Sequence, residues 1–316
     1  MADGKWINGL APAMPVEDAA RVVLAARFEV VRQYLPLAAA RPYEDVEYVH
    51  QLRVGTRRAG AALQAFASCL PRKHLRAAKQ SLRGLRRAAG DARDWDVFLL
   101  ALADARGDDP AETPGFDFLA GYALGERSAA QLRLAAAADD AGPRFAADTT
   151  MLPAHVRPPR GGDAPTTFGD LAAAEMTALF DEFARAVAAA PAAPDALHQL
   201  RILAKRVRYA MELFAPCFTE PLRTELYPAV EALQEALGEV QDAAVGRERM
   251  AALRERLTYV LPDDWPRYEP AVARLVKGYD AAFAAGRDRF AAWRAEWDHV
   301  WATYPPTPLV PVTPEA

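Results

Sequence analysis

Apolar residues return every three or four positions through most of this sequence, and prolines and glycines punctuate the segments so marked. The pattern predicts eight helices. The first four run from Glu17 to about Ala39, from about Asp45 to Leu70, from about Leu75 to Ala105 after the turn at Pro71, and from Phe116 to Asp140. The second four run from Gly169 to Ala190, from Asp195 to Phe214 with Asp195 as N-cap, from Glu220 to Leu261 with a kink or restart at Pro228, and from Trp265 to about Thr303. Between the two sets, residues 141–167 hold Pro143, Pro153, Pro158, Pro159, Pro165 and the turn Gly161-Gly162. They read as a linker with at most one helical turn near Phe145. Residues 305–316, rich in proline, read as an extended, mobile tail.

One stretch occurs twice. HQLRVGTRRAGAALQAF starts at His50 and HQLRILAKRVRYAMELF at His198, 148 positions later, and the same offset aligns Cys69 with Cys217, Gly90 with Gly238, Asp94 with Asp242 and Val97 with Val245. A register held without a gap for that distance marks a duplicated structural unit. With His50 set at 0° on a helical wheel, Arg53 falls near 300° and Arg57 near 340°, opposite Leu52, Ala59, Leu63 and Phe66 at about 160–220°. The second copy divides the same way, with His198, Arg201, Lys205 and Arg208 against Leu200, Val207, Met211 and Phe214; Arg58 and Arg206 sit at the border.

The following helix of the first half carries Arg76, Lys79, Arg83, Arg86 and Arg87 along one side, ending at Gly90. From His50 to Arg93 there are 11 Lys+Arg and one acid, Asp91, in a chain whose formal net charge is −4. Like charges at helical spacing repel, so a stripe this free of acids expects its counter-charge from outside the chain. The bland alternative is a solvated helix face, but such faces usually mix signs. Each histidine by itself could equally be structural, pairing with a nearby carboxylate such as Glu47 or Asp195.

The doubled H-x-x-R-x-x-x-[KR]-R pattern, followed each time by G-x-x-x-D-x-x-V, resembles the conserved histidine α-helical domain, CHAD. The matching residues are His50, Arg53, Arg57, Arg58, Gly90 and Asp94, then His198, Arg201, Lys205, Arg206, Gly238 and Asp242. The likeness extends from about Val16 to about Trp301. It implies an all-α fold in which two four-helix units, related by an internal pseudo-two-fold, form one helical bundle over about residues 16–304. It also implies binding of inorganic polyphosphate, with the association to polyphosphate granules that some members show; the cytoplasmic location expected for the chain comes instead from its lack of a secretion signal or membrane span. No E-x-E-x-K signature of a triphosphate-tunnel domain occurs, so the likeness is to a stand-alone member.

The expected anion ligands are His50, Arg53, Arg57, Arg58, Lys73, Arg76, Lys79, Arg83, Arg86 and Arg87 from the first half, and His198, Arg201, Lys205, Arg206 and Arg208 from the second. The positions matching Lys79, Arg83, Arg86 and Arg87 in the second half are Tyr227, Glu231, Gln234 and Glu235, so the site is expected to lean toward the first half.

Other classes receive less support. Nucleic-acid binding is the main alternative, but the only aromatic ring between His50 and Arg93 is Phe66, on the core face. An enzyme would need a base beside a nucleophile or a metal cluster. The chain has neither H-E-x-x-H nor a phosphate-binding G-x-x-x-x-G-K-[ST] loop. Asp91, Asp94 and Asp96 could in principle hold Mg²⁺ but are more simply read as partners of helix termini and Arg93, so no catalytic residue, cofactor or metal is expected. No apolar run approaches the roughly 20 residues that span a bilayer, and MADGKWINGLAP lacks the features of a secretion signal. Cys69 and Cys217 read as small core residues, with a bridge between them as the lesser possibility.

Overall fold

The computed structural model describes residues 4–159, 164–189, 191 and 193–309. Among them are eight α-helices: α1 Val16–Ala40, α2 Glu47–Ala65, α3 Arg72–Ala105, α4 Thr113–Met151, α5 Phe168–Ala188, α6 Pro194–Phe214, α7 Tyr227–Val260 and α8 Trp265–Thr303. Extended pairing among these residues is limited to two isolated bridges, Pro15 with Thr167 and Phe218 with Pro308. Each helix packs on its neighbour in sequence within α1–α4 and within α5–α8, as expected for helices joined by short connections. The two units meet through α2 with α6 and through α4 with α8.

The wheel faces are where the sequence puts them. Leu52, Ala59, Leu63 and Phe66 of α2 and Leu200, Val207, Met211 and Phe214 of α6 are buried in a large core to which both halves contribute. Phe168 packs between the paired phenylalanines, stacked on Phe66 with ring centroids 6.2 Å apart and tilted against Phe214 at 5.6 Å. A second, smaller core joins Phe98 and Leu102 of α3 and Phe116 and Leu119 of α4 to Met250 and Leu253 of α7 and Trp265 and Leu275 of α8. Here α4 meets α8 so closely that a Cβ at Gly115 would lie 2.6 Å from Ala271 Cβ and 2.8 Å from the Tyr268 carbonyl oxygen. Glycine at 115 is what lets the two units touch at this point.

Several boundaries differ from the sequence reading, each for a local reason. The fourth helix does not end at Asp140 but runs through Pro143 to Met151. Pro143 removes one backbone bond, to the carbonyl of the exposed Asp139, where water can replace it. Burial of Phe145 against Phe28 and a bond from Arg32 to Thr149 hold the extra turns in place. The linker therefore shortens, and it is tied down: Arg157 N–H donates to the Cys69 carbonyl (2.9 Å), and Val16 N–H to that of Thr166 (3.2 Å). The Gly161-Gly162 turn lies outside the described residues.

Asp195 is not an N-cap, because Ala193 occupies that position and Pro194 opens α6; Asp195 sits in the first turn, where its charge complements the helix dipole. The long seventh helix is divided as Pro228 suggested, into a π turn at Leu222–Leu226 and α7 proper. The expected mobile tail is anchored at its start, with Leu309 N–H donating to the Cys217 carbonyl (2.8 Å) and Thr219 N–H to that of Thr307 (3.1 Å). Cys69 and Cys217 are buried and unbridged.

Candidate functional site

Because the apolar stripes of α2 and α6 face the core, their basic stripes face each other where these helices pack across the pseudo-two-fold. Arg53 and Arg57 of α2 and Arg201 and Lys205 of α6 come close enough to perturb one another. Burial first, and then the neighbouring cations, push the Arg57 and Arg201 guanidiniums below their usual range and bring Lys205 down to about 7. The counter-charge in the protein is symmetric and small. Arg53 pairs with Asp94 (2.9 Å) and, at the same repeat positions, Arg201 pairs with Asp242 (3.9 Å). The aspartate of each G-x-x-x-D thus balances the arginine of its own half. Arg57 bonds to Tyr209 instead of a carboxylate, and Lys205 forms no ion pair among the described residues. The Nε of Arg201 is buried without an acceptor, and such an unmet donor is costly unless something outside the chain supplies one.

Helix α3 forms the outer wall. Arg83, Arg86 and Arg87 join Arg53 and Arg57, with the acids Asp91 and Asp94, around a hollow of about 320 Å³. Arg57, Arg83 and Arg86 also line an adjoining cleft of about 710 Å³, shared with Lys79, Lys205 and Arg206. The common residues make the two hollows one trough, cationic along α2 and α3 and partly apolar along α5 and α6, where Leu179 and Ile202 are exposed to it. A hollow of about 750 Å³ between α7 and α8 is larger, but its Arg247 and Arg254 are paired with Asp280 and Glu269, leaving little net charge for an anion.

A scan of family models matches the CHAD domain over residues 22–251. The chain belongs to the CHAD family. Among solved structures it is similar to the crystal structure of the CHAD domain from the plant Ricinus communis, with 22% identity, a TM-score of 0.71, and coverage of 96% of this chain and 98% of that one. It is also similar to PptA from Streptomyces chartreusis, with 21% identity, a TM-score of 0.65, and coverage of 90% and 99%. No curated protein matches the sequence. The matched segment of the CHAD model contains both trough helices and all of α3.

Not all of the expected ligands reach the CHAD trough. Arg58 turns inward, 5% exposed, and donates to Glu212 from Nε (2.6 Å) and Nη2 (3.0 Å). Its repeat equivalent Arg206 does line the cleft, but as an exposed side chain paired with Glu182 (2.9 Å). Arg208 is drawn to Glu231 (3.3 Å), an acid standing where the first half has Arg83, so the second half neutralises its own wall. Lys73 and Arg76 line a separate shallow hollow at the start of α3.

His198 Nδ1 hydrogen-bonds the Gln241 side chain. The repeat equivalent of Gln241 is Arg93, and His50 is held below the usual histidine range by burial first and then by Arg93. Neither histidine is among the residues lining the two hollows. The candidate Mg²⁺ carboxylates are dispersed, Asp94 to Arg53 and Asp96 to Arg127 (2.5 Å).

The sequence reading missed Tyr209, Gln241 and Glu212 as partners of these basic residues. Glu212 had left a trace, as a lone acid inside the apolar run YAMELF. It accepts from Tyr227 Oη (2.8 Å) as well as from Arg58, with Arg27 at 4.0 Å, in a buried cluster that joins the two halves.

Proposed function

We propose that this CHAD protein binds inorganic polyphosphate, without catalysis, in the trough between α2, α3 and α6. The observation that carries the reading is the imbalance at its centre: Arg53, Arg57, Arg201 and Lys205 converge with Arg83, Arg86 and Arg87, against the four acids Asp91, Asp94, Glu175 and Asp242, of which Asp94 and Asp242 are already paired with Arg53 and Arg201. Guanidiniums offer paired donors to phosphate oxygens and lysine adds a compact charge, a combination suited to a flexible strand of linked phosphates. The fold family's association with polyphosphate points the same way. Nucleic acid would satisfy the same cations through its backbone, but a stacking platform is wanting, since the trough's two aromatic rings, Tyr209 and Phe214, are only 8% and 1% exposed and Tyr209 is engaged by Arg57. Attachment to polyphosphate granules in the cytoplasm would follow from the same binding.

Isothermal titration with long-chain polyphosphate at several salt concentrations tests the reading. The logarithm of the binding constant should fall linearly with the logarithm of salt concentration, at a slope of several units, as counterions are released. Binding indifferent to salt would contradict a trough built on ion contacts.

A further inference from the structure

We propose that anion capture in the trough is proton-coupled, and that Lys205 is the group that takes up the proton. The inference rests on the polyphosphate reading and adds a thermodynamic property of the same site. Lys205 faces Arg53 and Arg57 of α2 and sits one turn from Arg201 on its own helix, with Asp242 of α7 as a counter-charge that bears on it. The same cleft presents Lys79, Arg83 and Arg86 from α3, Arg206 and Tyr209 from α6, and a single acid, Glu175, from α5. The ammonium therefore has cations on several sides and no ion-pair partner among the described residues. It is also the only one of the four central cations that can lose its proton at moderate pH, because guanidiniums stay charged.

Part burial and this company lower its pKa to about 7 in the free protein. A strand of phosphates laid across it reverses both the field and the lack of acceptors, and so restores the ordinary lysine value of roughly 10.5. The sign follows from linkage. Below pH 7 Lys205 is charged in both free and bound states and affinity is full. Between about 7 and the bound-state pKa, each binding event must recruit the missing proton, so affinity falls by up to about tenfold per pH unit. Neither His50 nor His198 lines the two hollows, so neither faces the strand as Lys205 does.

The test is calorimetric titration of long-chain inorganic polyphosphate at pH 6, 7, 8 and 9, with the pH 8 series repeated in two buffers of different ionisation enthalpy. Long chains keep the contribution of the titratable terminal phosphates small, and Lys205→Arg, titrated identically, cancels what remains. The expected result is uptake of about one proton per site at pH 8 and a falling affinity above pH 7 in the wild type, with both features lost in Lys205→Arg. Equal proton uptake in the two proteins would overturn the assignment to Lys205, and a flat wild-type profile would overturn the coupling itself. A wild type that binds no polyphosphate at pH 6, where the coupling costs nothing, would instead remove the functional reading on which the proposal rests.

Discussion

Glu212→Ala should destabilise the fold by about 3–5 kcal/mol, whereas Arg206→Ala should cost no more than about 1 kcal/mol. Glu212 is fully buried and accepts from Arg58 of the other half and from Tyr227, with Arg27 and Arg208 beside it. Truncating it leaves at least two buried guanidiniums without their anion, and burial already brings Arg27 down to about 10 with Glu212 present. Arg58 and Arg206 are the same position in the two copies of the repeat, yet one holds the halves together and the other decorates the surface. Urea denaturation followed by circular dichroism measures the difference as a fall in midpoint. Equal midpoints for the two variants would show that the inter-half cluster is not a structural tie.

The second large effect separates binding from stability. Arg57→Leu/Lys205→Met should lower polyphosphate affinity by roughly a hundredfold or more, from the loss of two charge-assisted contacts at ~1.5–3 kcal/mol each. The same change should raise folding stability by on the order of 1–2 kcal/mol after allowance for solvent screening, because it relieves repulsion among partly buried like charges. The folded-state pKa of Lys205 lies below its unfolded value, so the wild type pays this penalty in full below pH 7 and sheds it as pH rises toward the ordinary lysine range. The stability gain of the variant should shrink over that interval. Thermal denaturation at pH 6.5 and pH 9 reads it, and a variant less stable than wild type at pH 6.5 would contradict the strained-trough account.

Much of this arrangement was legible in the residues. The 148-residue offset announced the pseudo-two-fold, and the wheel angles of α2 and α6 placed Arg53, Arg57, Arg201 and Lys205 on the surfaces that meet. Substitution of Glu231 for the position of Arg83 foretold the lean toward the first half. What periodicity could not reveal was the fate of border residues. Arg58 and Arg206 share a wheel angle, but only Arg58 has a buried carboxylate within reach, and that depends on packing between halves. The helix through Pro143 escaped for a related reason, since a proline's local cost is set by one carbonyl whereas the tertiary burial of Phe145 decides the outcome. The repeated aspartates Asp94 and Asp242 stood in the motif, but their task as symmetric counter-charges became visible only once α3 and α7 were placed beside α2 and α6.

The most direct measurement of the central claim is a comparison of affinities at physiological salt for long-chain polyphosphate and for single- and double-stranded DNA of matched charge. The wild type is set beside Arg53→Glu/Arg57→Glu/Arg201→Glu/Lys205→Glu, with helicity confirmed by circular dichroism. The account predicts tight binding by the wild type with preference for polyphosphate, and loss of that binding in the folded variant. Equal binding of all three polyanions, or polyphosphate binding that survives charge reversal of the trough, would contradict it.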